Sequence, residues 1–204
     1  FGFSSPKILV EDVAVFALNL PLSKKVHQWI KASKAEGELQ NLDLSWSEGK
    51  SALSALNIPG GWFKSNKVDF SISVKLLGLS FVGVNKSMPT VSNLSGFLSA
   101  NQNQGSFSID STNLDLEIND LLADPNIQLD AANGQINWAK QKGNWVISTK
   151  KLSLSNPEIT TDLSINYVLG GPNKPDLMAL DMNFDKAKLV SAHRYLPVGM
   201  DKDT

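Results

Sequence analysis

Residues 67–76 read KVDFSISVKL, and apolar and polar side chains alternate through the whole stretch. Successive side chains of a β-strand point to opposite faces, so this order predicts a half-buried antiparallel strand. A helix would spread the same apolar residues around its whole circumference and leave no single face to bury. The stretch therefore favours a sheet with one apolar face.

The same period of two recurs on both sides of this stretch. The further apolar sets are Leu42, Leu44 and Trp46; Phe107 and Ile109; Leu114, Leu116 and Ile118; Ile136 and Trp138; Trp145 and Ile147; Leu152 and Leu154; and Ile159, Thr161, Leu163, Ile165 and Tyr167. Clusters of Gly, Pro, Asn and Asp separate many of them, for example at 59–61 and 124–126. This spacing predicts an antiparallel meander of roughly ten or eleven strands.

The apolar parity changes between some neighbouring sets. The set at 107–109 is odd-numbered, whereas the set at 114–118 is even-numbered, and the sets at 145–147 and 152–154 differ in the same way. Either a turn separates the sets or a β-bulge shifts the register, and bulges bend a sheet. The pattern therefore predicts a strongly curved sheet or, alternatively, two packed sheets that fill each other's apolar face.

One segment has the pattern of a helix. Val26, Trp29 and Ile30 lie on one stripe, and Ser23 can cap its N-terminus. The pattern predicts a helix over residues 23–34. We expect a second short helical stretch to begin near Lys186.

The composition argues against nucleic-acid binding and catalysis. The chain has 19 Lys and Arg against 20 Asp and Glu, so no basic excess exists to neutralise phosphates. It has no Cys, which excludes disulfides, thiol nucleophiles and Cys-ligated metals. We find no nucleophile elbow, HExxH zinc motif or Gly-rich phosphate loop. We therefore expect no enzyme activity, no metal and no cofactor.

Histidine and tryptophan are two residue types that often occur in binding sites. His27 and His193 have no carboxylates at metal-ligand spacing, and we interpret both as surface or packing residues. The tryptophans could line a sugar or lipid site, or fill core and sheet-edge volume. They are Trp29, Trp46, Trp62, Trp138 and Trp145. The residues alone indicate a β-rich binding or structural domain.

Five short motifs occur in order along the chain. They are PTVSNLSG at 89–96, GQINW at 134–138, WVI at 145–147, LSLSN at 152–156 and RYLP at 194–197. Their order and spacing resemble the middle region of the YhdP family of AsmA-like proteins, over roughly residues 20–204. The resemblance implies that residues 1–204 are a single β-rich segment excised from a larger AsmA-like protein.

The resemblance also implies a fold and a function. The expected fold is mainly β, a long, curved antiparallel sheet that forms an open, taco-like groove, with one or two short helices. The expected function is non-catalytic: a segment of a periplasm-spanning protein that conveys phospholipids between the inner and outer membranes along an apolar β-groove. The alternative is a periplasmic scaffold or assembly module that binds envelope proteins without lipid transport.

The implied partners are phospholipid acyl chains, and envelope proteins in the alternative, but no nucleic acid. The implied localisation is the periplasm of a Gram-negative cell, with an inner-membrane anchor in a segment absent from this chain. The family supplies no catalytic residues and no cofactor to transfer.

The candidate lining residues of such a groove come from the two clearest alternating stretches. They are Val68, Phe70, Ile72, Val74, Leu76, Leu163 and Ile165. Residues 8–18 and 76–84 are apolar at both parities, which suits groove walls. Moving two acyl chains of about thirty methylenes into water costs on the order of 24 kcal/mol, at ~0.8 kcal/mol per methylene. Passage therefore requires a continuous apolar track, which stacked strands can supply.

Overall fold

The computed structural model describes residues 2–19, 24–47, 69–85, 88–119, 124–170 and 175–188. The helices are α1 (Val10–Leu18) and α2 (Lys24–Ser33). The strands are β1 (Gly2–Leu9), β2 (Glu36–Ser47), β3 (Asp69–Phe81), β4 (Thr90–Asn101), β5 (Gln104–Glu117), β6 (Asn126–Gln141), β7 (Asn144–Ser155), β8 (Ile159–Val168) and β9 (Leu177–Ala187).

The strands form a single antiparallel meander. Their spatial order follows the chain from β1 to β9, and the two helices lie between β1 and β2 along the chain. The edges β1 and β9 do not pair with each other, so the sheet is open. No second sheet packs on it within the residues described. The predicted mainly-β fold, an open antiparallel sheet with short helices, is confirmed, and the two-sheet alternative does not hold for this part of the chain.

The strands are longer than the alternating sets suggested. β5 contains both the set at 107–109 and the first residues of the set at 114–118, and β7 contains both 145–147 and 152–154. The described residues form nine strands, whereas the estimate of ten or eleven referred to the whole chain. Residues 67 and 68 of the stretch KVDFSISVKL lie outside the described residues, and residues 69–76 belong to β3.

Residues with positive φ explain the changes of parity. Asn41, Gly78, Asn93 and Asn113 have φ values of 50°, 60°, 65° and 51° and lie on four consecutive strands, β2 to β5. Register shifts occur across these positions. Gly and Asn adopt this left-handed conformation most readily, and a bulge moves the following side chains to the other parity. These four residues, which we call the bulge line, confirm the β-bulge interpretation for the odd and even sets of β5.

Side chains replace ladder hydrogen bonds that the bulge line interrupts. The Asn93 side-chain amide donates to the carbonyl of Thr112 at 2.8 Å, and the Asn93 N–H donates to Ser80 Oγ at 3.1 Å. The Ser95 N–H donates to Ser111 Oγ at 2.8 Å, and this hydroxyl donates back to the Ser95 carbonyl at 3.0 Å. Since a buried polar group without a partner is destabilising, these bonds keep the bent region stable.

Helix α2 lies within the range that the sequence predicted. Val26 and Ser33 are its buried residues, and the Ser33 carbonyl accepts a hydrogen bond from the Val82 N–H at 2.7 Å, which attaches the end of α2 to the end of β3. The proposed cap Ser23 lies outside the described residues. The second expected helix is not seen where it was to begin, since Lys186 belongs to β9, and residues from 189 onward are outside the described part.

Helix α1 corrects the expectation that residues 8–18 form an apolar strand wall. Its half-buried residues recur at i, i+3, i+4, i+7 and i+8, which is the helical period. These residues are Val10, Val13, Ala14, Ala17 and Leu18. Two further apolar residues, Val15 and Phe16, are 62% and 66% exposed on the other side and hide this period in the sequence. The acidic pair at 11 and 12 suits the positive end of the helix dipole.

The core lies on one face of the sheet and consists of two clusters. One contains Leu42, Val74 and Leu76, and the other contains Val91, Leu114, Leu129 and Ala132. The apolar residues that pack against the one cluster and those that pack against the other all belong to strands of the same sheet. Val74 is nevertheless only 2% exposed. Among the described residues, the apolar side chains that pack against this cluster come from a single layer of strands.

Candidate functional site

Cross-strand pairing defines one apolar row across all nine strands. Residues directly opposite each other in a sheet point to the same face, so a chain of pairs marks a row on that face. Row 1 runs from β1 to β9 through Phe3, Leu44, Ile72, Ala100, Gly105, Trp138, Ile147, Tyr167 and Met178. None of its members carries a formal charge at neutral pH.

A second row runs parallel to the first on the same face. Row 2 contains Ile8, Leu39, Leu76, Gly96, Ile109, Gly134, Leu152, Leu163 and Met182. Ile72 and Leu76 are four residues apart on β3, so the two rows are about 13 Å apart at ~3.3 Å per residue. Nine strands at ~4.8 Å spacing make each row about 38 Å long. Together they form an apolar strip, which we call the groove face.

The structure places most of the predicted lining residues on the groove face. Ile72 belongs to row 1, and Leu76 and Leu163, which are distant in sequence, belong to the same row 2. Phe70 and Val74 share their parity on β3, and Ile165 lies between the two rows on β8. Val68 is outside the described residues.

Most row residues remain partly accessible. Ile72, Trp138, Ile147 and Leu163 are half-buried. The face is least covered at β9, where Met178 is 63% exposed; other apolar residues there, Leu180, Met182 and Phe184, are also exposed. An accessible apolar face of this length is unusual on the surface of a soluble protein, which makes the groove face the candidate site.

The opposite face carries polar pairs. Ser153 and Asp162 pair next to Leu152 and Leu163 and therefore point away from the groove face. The Ser153 hydroxyl donates to Asp162 Oδ1 at 2.6 Å, and the Lys151 ammonium lies 2.9 Å from Asp162 Oδ2. These contacts, the Ser153 hydrogen bond first, lower the pKa of Asp162, and the same carboxylate raises the pKa of Lys151.

A second ion pair lies near the other edge of the sheet. Lys7 Nζ lies 2.5 Å from Glu38 Oε2, and this hydrogen bond, followed by that from Gln40, lowers the pKa of Glu38. Lys7 and Gln40 pair directly, next to Ile8 and Leu39 of row 2, so they too point away from the groove face. The two uncharged rows therefore contrast with the charged and hydrogen-bonded pairs on the opposite face.

The described part of the chain contains one of the two histidines and four of the five tryptophans. His27 Nε2 lies 3.1 Å from the Leu18 carbonyl and links the two helices, which fits a packing residue. Trp46, Trp138 and Trp145 are on strands, with Trp138 in row 1. Trp29 is on α2. His193 and Trp62 lie outside the described residues.

The described part of the chain offers neither a metal site nor a membrane-spanning helix. It contains no group of His, Cys, Asp and Glu side chains that could hold a metal ion. None of its helices has the length and apolar character needed to cross a bilayer.

The sequence alone missed the rows themselves. The alternation in each strand was visible, but the pairs that join Leu76 to Leu163 depend on register shifts at several strand boundaries. The signal that could have located these shifts is Asn or Gly at a change of parity, as at Asn41 and Gly78.

Comparison with known proteins gave one match. A protein-family model described as YhdP protein matches the chain over residues 1–204. Neither curated proteins nor solved structures gave a match.

Proposed function

Since this chain belongs to the YhdP protein family, we propose that it is a non-catalytic segment of a protein that conveys phospholipids between the inner and outer membranes along the groove face. The observation that carries the proposal is the pair of uncharged rows, which continue across every strand from β1 to β9. Within the described residues, only strands of the same sheet pack against the core on this face.

The physical basis is the cost of moving acyl chains through water. A phospholipid with about thirty methylenes would lose on the order of 24 kcal/mol of apolar burial if both chains became hydrated. A sheet whose rows follow one another without a charged residue keeps the chains in apolar contact at each step. The headgroup can stay in water at the open side of the groove.

In this proposal, the segment lies in the periplasm and an inner-membrane anchor is in another part of the polypeptide. The groove face binds acyl chains by burial alone, so neither a cofactor nor a covalent intermediate takes part. The polar face, with its serine and charged pairs, faces the aqueous periplasm.

The experiment that tests the proposal is photo-cross-linking. The purified protein is mixed with vesicles of phosphatidylethanolamine and phosphatidylglycerol that contain a phospholipid with a diazirine in one acyl chain. We expect adducts, located by mass spectrometry of peptides, on residues of rows 1 and 2. The absence of adducts, or adducts confined to the polar face, would refute the lipid function.

One observation favours the alternative, a periplasmic scaffold that binds envelope proteins. Among the described residues, β9 is an edge strand, and its exposed apolar side chains and the backbone groups on its outer side could add a strand from a partner protein. Cross-linking that captures an envelope protein at Met178 or Met182, with no lipid adduct on either row, would favour the scaffold over the conduit.

A further inference from the structure

Two glycines on the groove face lie beneath aromatic rings. A Cβ atom built on Gly105 would lie 2.5 Å from Cε2 of Trp138 and 2.8 Å from the Cβ of Ala100. A Cβ atom on Gly96 would lie 2.8 Å from Cε2 of Phe107. Since carbon atoms in contact normally stay about 3.5–4.0 Å apart, each ring occupies the space that a side chain on the glycine would need.

The rings therefore lie along the sheet instead of standing up from it. Trp138 on β6 is directly opposite Gly105 on β5, and its indole reaches the Cβ level of that neighbouring strand. Phe107 on β5 reaches Gly96 on β4 in the same direction. Side chains in strands usually stand roughly perpendicular to the sheet, so a ring in this position depends on the missing side chain of its neighbour.

We propose that Gly105 determines how much space is open above the groove face, because it lets the indole of Trp138 lie flat against the sheet and out of the path of acyl chains. Gly96 has the same role for Phe107. A side chain at residue 105 would force the indole to turn upwards into the groove. Gly105 is thus a positioning residue for lipid passage, an inference that rests on the proposed function and adds the residue that keeps the track clear.

Gly105 is a better position to test than Gly96. The nearest atoms to a Cβ on Gly105 belong to the side chains of Trp138 and Ala100, and the indole can rotate away. A Cβ on Gly96 would also meet the backbone oxygen of Ser108, which cannot move without breaking the β4–β5 ladder. The variant Gly105→Ala therefore moves the ring and leaves the backbone in place.

The test uses two measurements on the purified protein. The first is the NMR position of the Ala100 methyl signal, which the adjacent indole displaces by its ring current; Gly105→Ala should return it towards the usual alanine position. The second is the yield of cross-linking to the diazirine phospholipid in the same vesicles. We expect Gly105→Ala to lower this yield about tenfold, which corresponds to ~1.4 kcal/mol.

The matched control removes the ring. The yield of Trp138→Leu is the reference for a groove face without the indole, and we expect the double variant Gly105→Ala, Trp138→Leu to lie within about twofold of that reference. A double variant that stays as low as Gly105→Ala would overturn the proposal, because the loss would then not come from the indole.

Other outcomes separate this proposal from the proposed function. If wild-type protein takes up the probe and Gly105→Ala moves the indole without lowering the yield, only the role of Gly105 is refuted. If wild-type protein takes up no probe, both proposals fail. Should Gly105→Ala not fold, Ala100→Val adds a side chain next to the same indole from β4. The NMR position of the Trp138 indole N–H then reports whether the ring has moved, and the cross-linking yield is interpreted as for Gly105→Ala.

Discussion

The most direct perturbation of the groove face is a negative charge in row 1, introduced as Ile72→Asp. Ile72 pairs with Leu44 and Ala100, so the new carboxylate would lie in the middle of the apolar strip. The position is half-buried, whereas Val74 on the same strand is only 2% exposed. Ile72 is the better choice because the protein can hydrate a carboxylate there and still fold.

The size of the effect follows from the cost of placing an acyl chain against the carboxylate. At this point the acyl chain must either move away from the groove face or contact an Asp that is protonated. An Asp with an ordinary pKa of about 3.9 costs ~4 kcal/mol to protonate at pH 7, at ~1.36 kcal/mol per unit. This sets an upper limit of roughly a thousandfold on the loss of cross-linking, and we expect at least about tenfold. Loss of a half-buried isoleucine destabilises the fold by about 1–1.5 kcal/mol.

The assay is the yield of the diazirine phospholipid adduct at a temperature well below the unfolding midpoint of each variant. Ser71→Asp is the matched control, since it places the same charge one residue away on the polar face. It removes the 2.7 Å hydrogen bond between the Ser71 and Ser45 hydroxyls, so its own loss of stability is about 0.5–1.5 kcal/mol. The two variants therefore lose a similar amount of stability, but their new carboxylates lie on opposite faces of the sheet.

Two results would refute this reasoning. The first is an equal cross-linking yield for Ile72→Asp and Ser71→Asp. The second is a yield for Ile72→Asp that does not rise between pH 7 and pH 5, because protonation of the carboxylate becomes about 2.7 kcal/mol easier over that interval.

Three further predictions concern stability. Asn93→Ala loses the side-chain hydrogen bonds to β5 and strains a residue with φ of 65°, so we expect a loss of about 1–3 kcal/mol in urea unfolding, and Asn93→Gly, which relieves only the strain, should lose less. Leu129→Ala, at a site 3% exposed, should lose about 2–4 kcal/mol, whereas Met182→Ala on the exposed edge strand should change stability by less than about 1 kcal/mol. The pKa of Asp162 is lowered in the folded state, chiefly by the Ser153 hydrogen bond, so the contribution of Asp162 to folding stability is present above the usual pKa of 3.8 and is lost as the pH falls below it. Asp162→Asn should therefore flatten this part of the pH profile of the unfolding midpoint, and an unchanged profile would contradict the assignment.

Strand pattern was largely predictable because a period of two depends only on which side of one strand is buried. Residues 69–76 alternate in the sequence and in β3 alike. Bulge positions were visible as changes of parity, but the sequence did not decide between a bulge and a turn. The decision depends on tertiary pairing, such as the hydrogen bonds of Asn93 and Ser111 with neighbouring strands.

Helix α1 and the two rows were harder to predict for different reasons. In α1, the exposed Val15 and Phe16 make the apolar pattern continuous, so the helical period is hidden. In the rows, whether two distant residues share a row depends on the register at every strand boundary between them. Leu76 and Leu163 were both proposed as lining residues from their local alternation, but their place in one row follows only from the pairing at the five successive strand boundaries between β3 and β8.

The strictly sequential order of the strands has a consequence for how this sheet is made. Each strand pairs with the one synthesised just before it, so every new hairpin finds its template already in place. From β3 onward, no connection between strands is longer than eight residues. A polypeptide that emerges N-terminus first can therefore extend this part of the sheet hairpin by hairpin, without a distant partner. For the same reason, gain or loss of a whole hairpin would change the length of the structure by about 10 Å and leave the remaining contacts intact. Span can thus be adjusted in evolution by duplication of one small unit.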